Sequence, residues 1–258
     1  MKVGVSTFYG MNKLSVVECV KQLKESGVKT IELMYESKLE VPINKKNIAE
    51  LKSFNLDYSM HGPFLGQVFA HPNNIYGNFY LGLVRDALEC AASVGCKEFV
   101  MHGGKLPSSF MKVESGDSRE YFVDLFIGRY GKLFERYDKK GVKVLVENLH
   151  EGEIGGEVGD FLQIKKALPF VGFCFDIAHA ANTNSVNRFI SEFGSSIGYV
   201  HATDNDLRSD QHLALGKGKI DFRGVFKRLK GFDGKVIVEC LKFDDCMSSK
   251  EYLLRLNS

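Results

Sequence analysis

Short apolar runs rich in β-branched residues alternate with longer amphipathic segments from one end of the chain to the other. The runs KVGVSTF (2–8), TIELM (30–34), LDYSMHG (56–62), EFVMHGG (98–104), KVLVEN (143–148), VGFCFD (171–176), IGYVHATD (197–204) and KVIVEC (235–240) read as buried strands. Between them, VVECVKQLKESG (16–27) sets apolar residues at helical spacing and stops on a glycine. Similar helices are predicted over about 74–95, 119–140, 158–167, 184–194, 221–230 and 248–256.

Strands alternating with helices imply parallel pairing through right-handed crossovers. Eight such strands in 258 residues match an α/β fold of one particular kind, the closed (β/α)8 TIM barrel. The rival is an open doubly wound sheet, but no glycine fingerprint for phosphates follows the first strand. No linker-like tract divides the sequence, so a single domain over 1–258 is expected.

Composition changes this picture little. At 44% hydrophobic and 26% charged residues the chain is ordinary globular material. A net charge of +2 disfavours a protein that holds nucleic acid by bulk charge. No apolar run approaches the roughly 20 residues needed to span a bilayer, and MKVGVSTFYG lacks a signal core. The cysteines at 19, 90, 96, 174, 240 and 246 show no metal-type pairing, so buried thiols and a cytoplasmic setting are expected.

The chemistry lies where the strands end. In a TIM barrel those C-terminal ends form the active face. The third strand ends at His61, the fourth at His102, the fifth at Glu147 and the sixth at Asp176 with His179 just beyond. The seventh ends at His201, its loop adds Asp210 and His212, and the eighth ends at Glu239. A single histidine after a strand is more often a hydrogen-bonded structural residue than a ligand. Here five of the seven histidines fall at such positions, all aimed at one axis. Imidazoles and carboxylates so gathered call for a cation among them, and a ligand set without thiolate suits zinc, manganese or cobalt better than magnesium or calcium. Of the remaining histidines, His71 precedes Pro72 and is assigned to a local turn, and His150, three residues beyond Glu147, to the surface, with contact to the site as its alternative.

With these residues in place the chain resembles the xylose isomerase-like TIM-barrel superfamily, which includes endonuclease IV and many sugar-phosphate isomerases and epimerases. The match runs from KVGVSTF to VIVEC, and HLALGKGKIDF is similar to the family's loop after the seventh strand. Endonuclease IV carries three zinc ions on nine ligands, and the resemblance maps those ligands onto His61, His102, Glu147, Asp176, His179, His201, Asp210, His212 and Glu239. The ketose epimerase branch holds one metal on four residues, corresponding here to Glu147, Asp176, His201 and Glu239, with His179 near the substrate.

Two departures separate the chain from endonuclease IV. The loop after the second strand reads MYESKLEVPINKK, without the glutamine- and arginine-rich segment that enters abasic DNA. The seventh-strand motif is HATDND in place of an Asn-Asp-Ser-Lys run, and Asp204 and Asp206 beside the groove would repel a phosphodiester backbone.

The resulting expectation is an enzyme, a divalent-metal-dependent sugar or sugar-phosphate isomerase or epimerase working through a metal-stabilised enediolate. One to three zinc or manganese ions would serve as cofactor. Glu147 and Glu239 would exchange protons with the substrate, assisted by His179. Phe8, with Tyr9, would cover the sugar, and Arg208, Lys217 or Lys219 would meet a phosphate. The alternative is endonuclease IV-like hydrolysis at abasic sites, with DNA as partner.

Overall fold

The computed structural model describes residues 1–36, 43, 45–106 and 118–256. Its eight strands pair in sequence order, all parallel, and the eighth closes on the first to form a barrel. They are β1 (Lys2–Ser6), β2 (Thr30–Met34), β3 (Asp57–His61), β4 (Glu98–Met101), β5 (Lys143–Glu147), β6 (Gly172–Asp176), β7 (Tyr199–Ala202) and β8 (Lys235–Val238). Outside them run α1 (Val16–Glu25), α2 (Lys45–Ser53), α3 (Asn74–Val94), α4 (Ser118–Asp138), α5 (Val158–Ala167), α6 (Ile177–Asn182), α7 (Val186–Phe193), α8 (Phe222–Arg228) and α9 (Phe243–Leu256).

Several ends differ from the sequence reading for local reasons. Thr7 and Phe8, read as strand, belong to a short 3-10 turn capped by Ser6. α1 is closed by a capping box in which Ser15 and Glu18 satisfy each other's backbone N–H. α3 begins on an Asn73 cap and ends on left-handed Gly95. α9 starts at Phe243, ahead of the expected 248. α2 and α6 were not foreseen. No described helix is long and apolar enough to cross a membrane.

Alternation along each strand sorts side chains into two faces. Val5, Ile31, Leu33, Met60, Phe99, Val144, Val146, Phe173, Phe175, Val200, Val236 and Val238 belong to the large core shared with the helices. The other face fills the barrel and changes character from bottom to top. In the middle, Val100, Leu145, Cys174, Tyr199 and Ile237 form a separate buried cluster. Gly4 belongs to the same interior: a Cβ there would lie 2.6 Å from Ile237 Cδ1, so only glycine fits. At the bottom, Lys235 of β8 reaches across to Asp57 of β3 (2.8 Å) and Glu98 of β4 (2.9 Å). Burial alone would lower the Lys235 ammonium, but these two carboxylates raise it.

Lys235→Ala should strand both carboxylates at the barrel floor and lower stability by about 2 kcal/mol in urea unfolding. The apolar layer separates this pair from the opposite end, so the same variant should bind metal as the parent chain does.

Candidate active site and metal centre

Counting two residues up each strand from the apolar layer gives the top layer. Val100 leads to His102, Leu145 to Glu147, Cys174 to Asp176, Tyr199 to His201 and Ile237 to Glu239. β4 to β8 thus each deliver one ligand-type side chain to the same rim. His61 arrives from the end of β3.

Glu147 stands at the centre of this group and is almost fully buried. Its Oε2 faces Nε2 of His102 at 3.3 Å and of His61 at 3.4 Å. Its Oε1 faces Nδ1 of His201 at 3.2 Å and of His179 at 3.5 Å. Glu239 Oε2 reaches the same His201 nitrogen at 3.5 Å. Asp176 joins through Glu147 and His179, the three presenting ligand atoms within 4.8 Å of one another. Beyond them Asp210 Oδ2 lies 3.1 Å from His212 Nε2 and 3.5 Å from His179 Nε2. All nine expected positions therefore converge on one rim.

The orientation of the rings suits a metal. A carbonyl oxygen can only accept, so the nitrogen against it must carry the proton. Nδ1–H of His61 donates to Gly62 O (2.9 Å), that of His179 to Asn148 O (2.9 Å), and that of His212 to Glu239 O (2.8 Å). In the neutral ring each Nε2 is then a lone pair aimed inward, the arrangement that outer hydrogen bonds impose on metal-binding histidines. Glu147 Oε2 and His201 Nδ1 are buried at the centre with no hydrogen-bond partner. Buried polar atoms left open in this way are costly unless something else meets them. Neutral imidazoles and carboxylates around such atoms fit a divalent ion.

Electrostatics points the same way. Burial would raise the Glu147 carboxyl, yet the fields of His201 and His102 hold it well below its usual range. Burial, with Glu32 and Glu147 nearby, pushes Glu239 well above it despite His201. Burial would depress His179 and His201, but Asp176, Asp210 and Glu147 drive the first well up, and Cys174, Glu239, Glu32 and Glu147 the second. Burial keeps His102 low despite Glu147. Among themselves, these groups draw in protons to supply positive charge.

The cavity above them measures about 80 Å³, and Phe8, Met34 and Phe64 are among its lining residues. His61, His102, Glu147, His179, Asp210, His212 and Glu239 complete it. The Phe8 ring stands 4.8 Å from that of His212. Arg208, Lys217 and Lys219 are exposed and do not line it. Tyr9 turns away and donates to Cys19 O.

Several residues have other places than the sequence suggested. Asp204, expected beside the groove, is fully buried and accepts four backbone N–H groups, from Asn205, Gly216, Gly218 and Ile220. It folds the loop that carries Asp210 and His212. Asp206 accepts from Arg208 N, Ser209 N and Ser209 Oγ, closing a turn of that loop. Asp204, buried and fully engaged, therefore does not face a phosphodiester as expected. His150, assigned to the surface, lies at the edge of the site, its ring 4.4 Å from that of His179. His71 does serve a local turn, accepting from Asn73 N.

Four polar residues that shape the site were not foreseen. Glu32 is buried in β2, against His201. Asn148 bonds both backbone groups of Asp176 and, through its own carbonyl, His179. Glu36 holds the Phe64 loop through Phe64 N, Leu65 N and Gln67 Nε2. Tyr199 bonds Glu32 from below. Of the stretch MYESKLEVPINKK, residues 37–42 and 44 lie outside the described residues.

The family model for the xylose isomerase-like TIM barrel matches residues 20–253. The chain belongs to that family. An uncharacterized protein of Methanocaldococcus jannaschii is 28% identical, covering 98% of this chain and 88% of its own. Among solved structures of this fold, a D-tagatose 3-epimerase-like protein is 26% identical, with TM-score 0.88, covering 100% of this chain and 97% of its own. A D-allulose 3-epimerase from Methylomonas in complex with D-allulose shares the fold at 16% identity and TM-score 0.77, over 100% and 97% of the two chains.

Proposed function

We propose that the protein is a divalent-metal-dependent epimerase or isomerase of an uncharged sugar. The carrying observation is the pairing of Glu147 and Glu239 on the same nitrogen of His201, one carboxyl held low and the other high. Two carboxyls driven apart in this manner are suited to remove a proton and to return one. Similarity to a D-tagatose 3-epimerase-like protein supports the sugar as substrate.

Glu147, Asp176, His201 and Glu239 would hold the ion, as in the ketose epimerase branch, and manganese is the first choice. When bound, the ion would polarise the substrate carbonyl and spread the charge that develops beside it. The chain's own groups do the rest. The ionised Glu147 carboxylate takes the proton from the carbon next to the carbonyl, leaving an enediolate on the sugar. Glu239, whose carboxyl reaches the same His201 nitrogen, returns one to that carbon. His179, fixed by Asn148 and Asp176, presents Nε2 to the substrate hydroxyls. Phe8 and Phe64 cover an apolar sugar face and keep water away.

No lysine or arginine lines the cavity among the described residues, which favours a free sugar over its phosphate. With manganese-loaded protein in deuterated water, a panel of free ketoses should include one that takes up deuterium beside its carbonyl. Its phosphate ester should exchange at least about tenfold more slowly, since a phosphate left without a partner costs more than 1.4 kcal/mol. Failure of every free and phosphorylated ketose to exchange would remove the proposal.

A second reading, endonuclease IV-like zinc-dependent cleavage at abasic DNA, is favoured by one observation: all nine ligand positions of that enzyme converge here. The burial of Asp204 also removes one objection to it. Incision of duplex DNA bearing an abasic site, lost in Glu239→Gln, would establish this reading over the first.

A further inference from the structure

Glu32 sits in the middle of β2 with no exposed surface. A carboxylate there is costly, and a leucine would extend the apolar layer formed by Val100, Leu145, Cys174, Tyr199 and Ile237. Its contacts show what the carboxylate does instead. Oε2 accepts from Tyr199 Oη–H at 2.7 Å and lies 3.1 Å from His201 Nε2. With its proton given to Glu32, the Tyr199 oxygen accepts in turn from Ser59 Oγ at 2.6 Å. Side chains of β2, β3 and β7 are thereby tied together directly beneath the rim.

His201 needs this arrangement because of where it lies. His61, His179 and His212 each find a main-chain carbonyl for Nδ1–H. His201 is inside β7, where the backbone pairs with β6 and β8 on either side. It depends on a side-chain acceptor. Nε2 has the Glu32 oxygen at 3.1 Å to donate to while Nδ1 has no hydrogen-bond partner, so the metal-binding form of the ring keeps its proton on Nε2. The lone pair is then on Nδ1, the atom facing Glu147 Oε1 at 3.2 Å and Glu239 Oε2 at 3.5 Å. This orientation is opposite to that of the other three rings.

We infer that Glu32 is a positioning residue that, steadied by Tyr199 and Ser59, makes Nδ1 the metal-binding atom of His201. The inference rests on the metal-binding reading above but not on which reaction follows. General experience with outer hydrogen bonds of this type sets the effect on affinity at about tenfold to a hundredfold.

The test uses the full chain with zinc alone as probe. Zinc affinity is measured by competition with a chromogenic chelator, and the His201 ring is read by 15N NMR of the zinc-loaded protein. The parent chain should show the proton on Nε2 and zinc on Nδ1. Glu32→Leu should bind zinc about tenfold to a hundredfold more weakly while its metal-free form stays folded. Glu32→Gln keeps an oxygen acceptor for His201, so it should retain the Nε2–H form and lose less affinity than the leucine variant. Should Glu32→Leu fail to fold, Tyr199→Phe removes one support of the carboxylate and should still weaken zinc severalfold. Parent-like affinity in a folded Glu32→Leu or Tyr199→Phe protein overturns the inference, as does a proton on Nδ1 of His201. A parent chain that binds no zinc overturns the metal reading and this inference together.

Discussion

Glu239→Gln should slow proton exchange into the sugar by about 10²- to 10⁴-fold while the barrel stays folded. An amide has the size and shape of the carboxyl it replaces but cannot deliver or accept the transferred proton. The Glu239 side chain is buried, pushed up by burial and by Glu32 and Glu147, and adjacent to His201. Removing a carboxyl from so crowded a group relieves repulsion in the metal-free chain, so its melting temperature should equal or exceed that of the parent. Loss of exchange together with a lower melting temperature would show a structural role instead. Steady-state exchange rates and thermal unfolding on the same preparation separate the two outcomes.

The second large effect is expected away from the reacting atoms. Asp204→Ala should lower stability by about 3–5 kcal/mol, because four backbone N–H groups lose a charged acceptor at once. Gly218 shows how closely the loop is folded on this residue: a Cβ there would lie 2.3 Å from Asp204 Oδ1. Asp210 and His212 are carried by the same loop, so metal binding should weaken with it. Asp206→Ala serves as the contrast. Asp206 closes only an exposed turn, and its loss should change stability by less than about 1 kcal/mol in urea unfolding.

The comparison between these two aspartates shows where sequence reading stops. Both follow His201 in HATDND, and nothing in their spacing tells a buried loop anchor from a solvent-facing turn. The difference arises from backbone N–H groups up to 16 residues later, which turn back onto Asp204 alone. The strands, by contrast, were legible because buried parallel strands are continuous apolar runs. Ligand residues that break those runs at their ends were legible for the same reason. Glu32 was passed over because it interrupts TIELM in the middle of a strand, not at its end. A fully charged residue inside an apolar strand is itself a signal, since burial demands a partner. α6 was missed because IAHAAN is only six residues long, too short to show a helical repeat. α2 was missed because Ile48 and Leu51 are its main apolar markers in a polar segment. His150 offered only its position three residues beyond Glu147, for its place beside His179 depends on how two loops fold together.

Equilibrium dialysis against micromolar manganese or zinc, followed by elemental analysis, tests the central claim most directly. The folded parent chain should retain at least one ion, and a His201→Ala, Glu239→Gln double variant should retain measurably less under the same conditions. A folded parent chain that leaves dialysis with no bound divalent ion would contradict the account.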